Sequence, residues 1–334
     1  MTIVGIRCDA GPRTGVGHLV RCVALAEELV ARGVGVRFLG DLGGLEWAEA
    51  QLARRGLPWH PPPFDEVGLV AAAERLELDA LVVDSYTLPP LHTVAVRRTG
   101  RTVLAIVDGD FRGQTADIYV DQNLDAAIDV DGAIGLAGLD YALLRGSVRQ
   151  LRPLSAPVHS GSRTPKVVAF FGGTDAYRAA PAIAALLART GMPFEATIIG
   201  ANEELRRELH TVEAAPGQRF DVIAPTDDLP KLLAGADLAV SASGTSTWEL
   251  LCLGLPSALV WVVDNQILGY ERTIARGYAA GIGQLGNLDA GSVMTLRGLL
   301  TDADARTALA AKAWAAVDGR GVERVADTLL ATVS

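Results

Sequence analysis

Thr2-Ile3-Val4-Gly5-Ile6-Arg7-Cys8, then a loop with glycines at 11, 15 and 17, then His18-Leu19-Val20-Arg21-Cys22-Val23-Ala24-Leu25-Ala26 make up the start of the chain. The β-branched apolar run calls for a strand, and the 3.6-residue apolar spacing from Leu19 to Ala31 calls for a helix. The glycines let the connecting backbone turn sharply and approach a ligand closely. A helix N-terminus offers unpaired N–H groups and positive dipole character, which disfavour an imidazolium placed there. His18 in that first turn is therefore suited to act as a neutral general base or a hydrogen-bond donor, with capping or surface exposure as the plainer reading.

The same alternation continues outward. Strands are expected at Val34–Leu39, Ala80–Val83, Val103–Val107 and Ile118–Val120, with a further helix at Val67–Leu76. Beyond residue 165 the pattern recurs: Lys166–Phe171, Glu195–Ile199, Phe220–Ile223, Leu238–Ala242 and Ser257–Val263 read as strands, separated by helical stretches. Strand–helix alternation implies parallel sheets covered by helices, whose ligands gather at the carboxyl ends of the strands. At 334 residues the chain exceeds what one core usually serves, so two domains are expected. Gly146–Pro165, rich in Pro and Ser, reads as a solvated connector, giving domains 1–155 and 156–334. Val293–Leu330 reads as helical with charged faces, and a final helix crossing back onto the first domain would suit such a layout without following from the residues.

Composition narrows the partners. A net charge of −9 with no Lys/Arg-rich run gives no footprint for nucleic acid. The apolar run Leu250–Val263, broken by Gly254 and Pro256, falls short of a bilayer span, and no charged-then-apolar leader precedes the first strand. A cytoplasmic protein is expected. The three cysteines, Cys8, Cys22 and Cys252, read as reduced, buried thiols. A metal site from Cys8, His18 and Cys22 lacks a nearby fourth ligand, so no metal and no cofactor are expected.

Further stretches carry chemistry. Ser243-Gly244-Thr245-Ser246-Thr247-Trp248-Glu249 joins a strand to a helix, and its hydroxyls and N–H groups suit a diphosphate cradle, with Glu249 one turn on suited to ribose hydroxyls. Simple N-capping is the plainer alternative. Gly172-Gly173-Thr174-Asp175 repeats the strand-end glycine pattern, and Asn265-Gln266 after Asp264 places two amides at another strand end. In the first half, Asp84-Ser85-Tyr86, Asp108-Gly109-Asp110 and Asp121-Gln122-Asn123 all end strands, which puts them near the His18 loop, although Asp-rich surface turns look the same. Gly15-x-Gly17 with Asp41 as a ribose-binding acid would start a dinucleotide fingerprint, but the third glycine position holds Val20.

Taken together, Gly15-x-Gly17-His18-x-x-Arg21-Cys22, Asp84-x-Tyr86, Asp121-Gln122-Asn123, Tyr141-Ala142-Leu143-Leu144-Arg145, Phe171-Gly172-Gly173-Thr174-Asp175, Ser243–Glu249 and Asp264-Asn265-Gln266 resemble the nucleotide-sugar hydrolases of bacterial pseudaminic acid synthesis and their spore-coat polysaccharide relatives. The resemblance runs nearly the full length. It implies an α/β GT-B-like fold of two Rossmann-type domains with parallel sheets facing a central cleft. It also implies metal-independent, inverting hydrolysis of a UDP-activated amino or deoxy sugar. By the same resemblance His18 and Tyr86 are catalytic; Gly17, Arg21, Gly172, Gly173, Thr174, Ser243, Gly244, Thr245, Ser246, Thr247, Glu249, Asn265 and Gln266 contact the nucleotide sugar. The chain differs from the family at Ala176-Tyr177-Arg178 and at Gly11-Pro12-Arg13-Thr14. A glycosyltransferase on the same scaffold and a non-catalytic nucleotide-sugar binder are the alternatives.

Overall fold

The computed structural model describes residues 1–11 and 15–333; the expected departure at Pro12-Arg13-Thr14 lies outside them. Met1–Gly146 together with Gly319–Ser334 form one compact unit, and Ser147–Asp318 form another.

In the first unit the order is β1 (Ile3–Cys8), α1 (Gly17–Ala31), β2 (Gly35–Leu39), α2 (Glu46–Arg54), β3 (Trp59–His60), α3 (Glu66–Arg75), β4 (Ala80–Asp84), α4 (Pro90–Arg97), β5 (Thr102–Ile106), β6 (Ile118–Asp121) and β7 (Ile134–Ala137). The strands form a seven-stranded sheet ordered β3-β2-β1-β4-β5-β6-β7, parallel at every pairing. Val4, Ile6, Phe38, Val82 and Leu104 pack on one face with Leu19, Cys22, Leu25 and Leu29 of α1. Leu81, Val83 and Val103 pack on the other with Leu69, Ala73 and Val96. Strands covered on both faces have no solvent side for polar residues to occupy, which is why they read as continuous apolar runs.

After the short helix α5 (Gly146–Arg149), the second unit carries β8 (Lys166–Phe170), α6 (Ala179–Ala188), β9 (Phe194–Ile199), α7 (Glu203–Leu209), β10 (Gln218–Ile223), α8 (Leu229–Ala234), β11 (Leu238–Ala242), α9 (Ser246–Leu253), β12 (Ser257–Trp261), α10 (Ile267–Ala275), β13 (Ala280–Gln284), α11 (Ala290–Thr301) and α12 (Ala303–Ala316). Its six-stranded sheet runs β10-β9-β8-β11-β12-β13, again parallel. No helix among the described residues is long and apolar enough to cross a membrane.

Three features differ from the sequence reading. The last helix, α13 (Gly321–Thr332), belongs to the first unit, so the second ends at Asp318 and begins at Ser147. Val322, Val325, Ala326 and Leu329 of α13 are fully buried in the first core, and each buried Val or Leu contributes about 1.5–3 kcal/mol. The expected solvated connector is tied down: Arg152 donates to the Cys252 carbonyl at 2.6 Å and the Trp314 carbonyl at 2.9 Å, and the Trp314 indole donates to the Pro153 carbonyl at 2.9 Å. The edge strands β3, β7 and β13 lie outside the strands expected from the sequence, and pairing to β2, β6 and β12 sets them.

Candidate active site

The topology selects the site before any side chain does. In the first sheet the chain lays β2 and β3 on one side of β1, then returns to place β4 on the other. In the second it lays β9 and β10 beside β8, then returns to place β11. Ligands of open parallel sheets bind at the carboxyl edge where the winding reverses. Those two reversals fall at the His18 loop with Asp84, and at Gly172–Asp175 with Ser243–Thr247.

In the first unit Gly11 and Gly15 exchange backbone hydrogen bonds of 3.1 and 2.8 Å, and Gly15 has φ +76°, a left-handed conformation that favours glycine. This bridge sets the entry to α1, in which His18 is the second residue. The register pairs Cys8 with Asp84, so the end of β4 lies beside the end of β1. His18 Nδ1 makes a short hydrogen bond to Asp84 Oδ1. An ionised carboxylate only accepts, so Nδ1 carries the proton and Nε2 is the basic nitrogen.

Arg21, one turn further along α1, locks the carboxylate. Its Nε and Nη2 fork onto Asp84 at 2.6 and 2.7 Å, and Nη1 and Nη2 reach Asp108 at 2.9 and 3.0 Å. Burial would raise the Asp84 carboxyl, but the Arg21 guanidinium and His18 outweigh it and hold Asp84 well below the usual carboxylate range. Asp108 is likewise lowered: burial opposes it, and Arg21 and the Tyr86 hydroxyl prevail. Burial also works against the Arg21 cation, but Asp84 and Asp108 hold its pKa above the ordinary value. The Cys22 thiol, pushed up by burial, donates to Asp84 Oδ2 at 3.6 Å.

Tyr86 stands edge-on to His18, ring centres 4.4 Å apart at 84°. Its hydroxyl donates to Asp108 Oδ2 at 2.5 Å, and burial followed by the Asp108 charge raises its pKa, keeping it protonated. Asn123 Nδ2 bridges Asp108 at 3.0 Å and Asp121 at 2.8 Å. The Arg112 guanidinium lies 4.0 Å from the centre of the Tyr86 ring.

The second unit assembles a different surface. Thr245 caps α9 without a side-chain hydrogen bond, and Thr247 through Leu253 are buried. Thr247 is 2% exposed, and its hydroxyl has no protein partner among the described residues. Gly244 is exposed; a Cβ there would meet nothing nearer than Gln266 Nε2 at 3.9 Å, so β11 and β12 bring these two residues together. Gln266 is oriented by the Val262 amide, which donates to its Oε1 at 2.9 Å. Gly172, at φ +74°, and Gly173 are exposed and Thr174 half-buried. Asp175 is spent as an anchor, accepting from the amides of Ala179 and Ala180 at 2.8 and 3.0 Å. Asn265 is exposed, while Ser243 and Glu249 are buried.

Arg21 is corrected by this geometry. Expected to touch substrate, it is 4% exposed with its donors directed at Asp84 and Asp108, so it positions rather than binds. Asp84 and Asp108 are the converse: their strand-end positions pointed to the His18 loop, but their pairing with a residue three positions after the histidine shows only in the folded chain. Asp41, the acid of the dinucleotide reading, holds the Gly43 amide at 2.8 Å. Cys8, Cys22 and Cys252 are free and buried, and among the described residues no group of three or more His, Cys, Asp or Glu is placed to hold a metal ion.

No family model matches the chain. It is 24% identical over 348 residues to the spore coat polysaccharide biosynthesis protein SpsG of Bacillus subtilis (strain 168), covering 96% of each. Among solved structures it is similar to Acinetobacter baumannii MurG (TM-score 0.76, 16% identity, 99% of this chain and 100% of that one). It is also similar to the glycosyltransferase VinC in complex with DTDP (TM-score 0.65, 15% identity, 99% of each). These likenesses show the fold: a GT-B-like α/β fold of two Rossmann-like domains.

Proposed function

We propose that this chain is an enzyme acting on nucleotide-activated sugars, and that it transfers the sugar to an acceptor hydroxyl. The observation that carries the reading is the His18–Asp84 pair inside the Arg21 clamp, which leaves His18 Nε2 as a fixed base. Nε2 takes the proton of the acceptor hydroxyl and its oxygen attacks the anomeric carbon. The bond from that carbon to the diphosphate breaks, the electron pair leaving with the nucleoside diphosphate, and the configuration inverts. Asp84 stabilises the imidazolium that forms. Within the second unit, Ser243, Gly244, Thr245, Ser246 and Thr247, with Asn265 and Gln266, are assigned to the nucleoside diphosphate; the Thr247 hydroxyl is buried with no partner among the described residues. Gly172, Gly173 and Thr174 form a second wall, and Glu249 is assigned to the ribose.

Transfer is preferred over hydrolysis because several structures of the same fold carry glycosyltransferase names, VinC with DTDP among them, as do the spinosyn forosaminyltransferase SpnP and the rhamnosyltransferase SpnG with thymidine diphosphate. Water as the acceptor is the second reading. It is favoured by the motif string resembling the pseudaminic acid hydrolases, and likeness to SpsG fits either polysaccharide role. The test is a product-resolved NMR assay over UDP-, TDP-, GDP- and CMP-sugars, with and without an acceptor. Donor consumed only with acceptor supports transfer, release of free sugar and nucleoside diphosphate without acceptor supports hydrolysis, and a donor left intact under both conditions overturns the enzymatic reading.

A further inference from the structure

The chemistry proposed for His18 makes no use of Arg112, although both side chains flank one tyrosine. The Tyr86 ring has His18 at 4.4 Å and the Arg112 guanidinium at 4.0 Å. Arg112 follows the strand-end run Asp108-Gly109-Asp110-Phe111, and its own amide donates to Asp110 Oδ1 at 2.8 Å. It is held at φ +48°, a left-handed conformation that is costly for a residue with a side chain.

Neither neighbouring carboxylate forms an ion pair with it among the described residues. Asp108 is committed to Arg21, Tyr86 and Asn123, and Asp110 to the Arg112 amide. Among the described residues the Arg112 guanidinium has neither an ion pair nor a hydrogen bond. A guanidinium stacked on an aromatic ring keeps its five edge donors available in a fork that matches carboxylate or phosphate. In a chain of net charge −9, a half-buried, unspent cation beside the base is a recognition element.

We propose that Arg112 selects an acceptor bearing a carboxylate or phosphate near its reacting hydroxyl, the guanidinium forking onto the anion while the hydroxyl meets His18 Nε2. The inference rests on His18 being the base of a transfer reaction. The donor's own diphosphate is assigned to the neutral donors of the second unit, which leaves this cation for the other substrate.

The test uses glucuronate, glucose 6-phosphate and neutral glucose as probes. Binding is read from the ring 1H–13C resonance of His18, assigned with His18→Gln. In the wild type at least one anionic probe shifts the resonance saturably and glucose does not. Arg112→Met, which keeps a flexible stem over Tyr86, weakens that probe by about tenfold, and Arg112→Lys restores part of the loss. Preference for glucuronate or for glucose 6-phosphate identifies the anion. Equal binding in Arg112→Met, an equal response to glucose, or no response to either anion overturns the proposal. Nucleotide-sugar cleavage measured alongside separates the two readings. Cleavage with no Arg112-dependent discrimination sinks this inference alone, whereas Arg112-dependent binding with no donor cleaved sinks the transfer reading and leaves the anion site standing.

Discussion

The two sheet reversals are built alike and equipped differently. At the first, charge is concentrated and paired: Arg21 bridges Asp84 and Asp108, and Tyr86 and His18 hydrogen-bond to the same two carboxylates. At the second, the loops carry exposed glycines and hydroxyl side chains around an uncapped helix start. A pre-paired charge network fixes a proton acceptor without reorganisation, whereas neutral donors bind an anion without having to give up a counter-ion first. The difference suits the first to the proposed proton transfer and the second to the proposed holding of an anion.

The sharpest way to break this division is His18→Asn, which removes the base and should lower turnover by about a thousandfold or more while leaving nucleotide affinity, by calorimetry, within about twofold. Near-normal turnover would end the assignment. Asp84→Asn comes next: it loses the tautomer control and leaves Arg21 short of a partner, so turnover should fall by about a hundredfold or more and stability by about 3–5 kcal/mol, measured by urea unfolding.

The same carboxylate predicts a pH dependence. Its native pKa lies below the unfolded value, so the stability it adds is fully present above about pH 4 and is withdrawn as the pH falls from there toward the depressed native value. The part of the unfolding free-energy gap between wild type and Asp84→Asn that this carboxylate supplies should therefore shrink as the pH falls below about 4.

At the second reversal, Gly244→Ala meets only Gln266 at ordinary contact distance, so the fold should keep its thermal midpoint. The added methyl would instead occupy ligand space, weakening nucleotide binding by about tenfold with kcat nearly intact. A parallel loss of kcat would blur the division of labour. The smallest effect is expected from Tyr86→Phe, which deletes one hydrogen bond to Asp108 at a half-exposed ring. A few-fold drop in kcat is expected, and a loss as large as that of His18→Asn would move Tyr86 into the proton-transfer step.

Much of this was legible in the residues. The order of most strands and helices, the parallel sheets and the candidate strand-end loops follow from apolar periodicity and from glycines at strand ends, because these are local properties of the backbone and of burial on both faces. The short strands and the return of α13 were not legible, since Val322, Val325 and Leu329 show an amphipathic face without naming the core that receives it. Arg21, taken by resemblance as a substrate contact, shows its pairing only once the two acids that hold it are in place.

By itself, the sequence determined the two α/β domains and the placing of His18 on a helix N-terminus, both products of short-range pattern. Only the tertiary structure decided that Asp84, 66 residues away, sets the proton on Nδ1, that Arg21 is spent on two acids, and that the Arg112 guanidinium has no ion pair among the described residues. Those outcomes depend on which strand ends the winding brings together, and pairing between distant charges leaves no period in the chain.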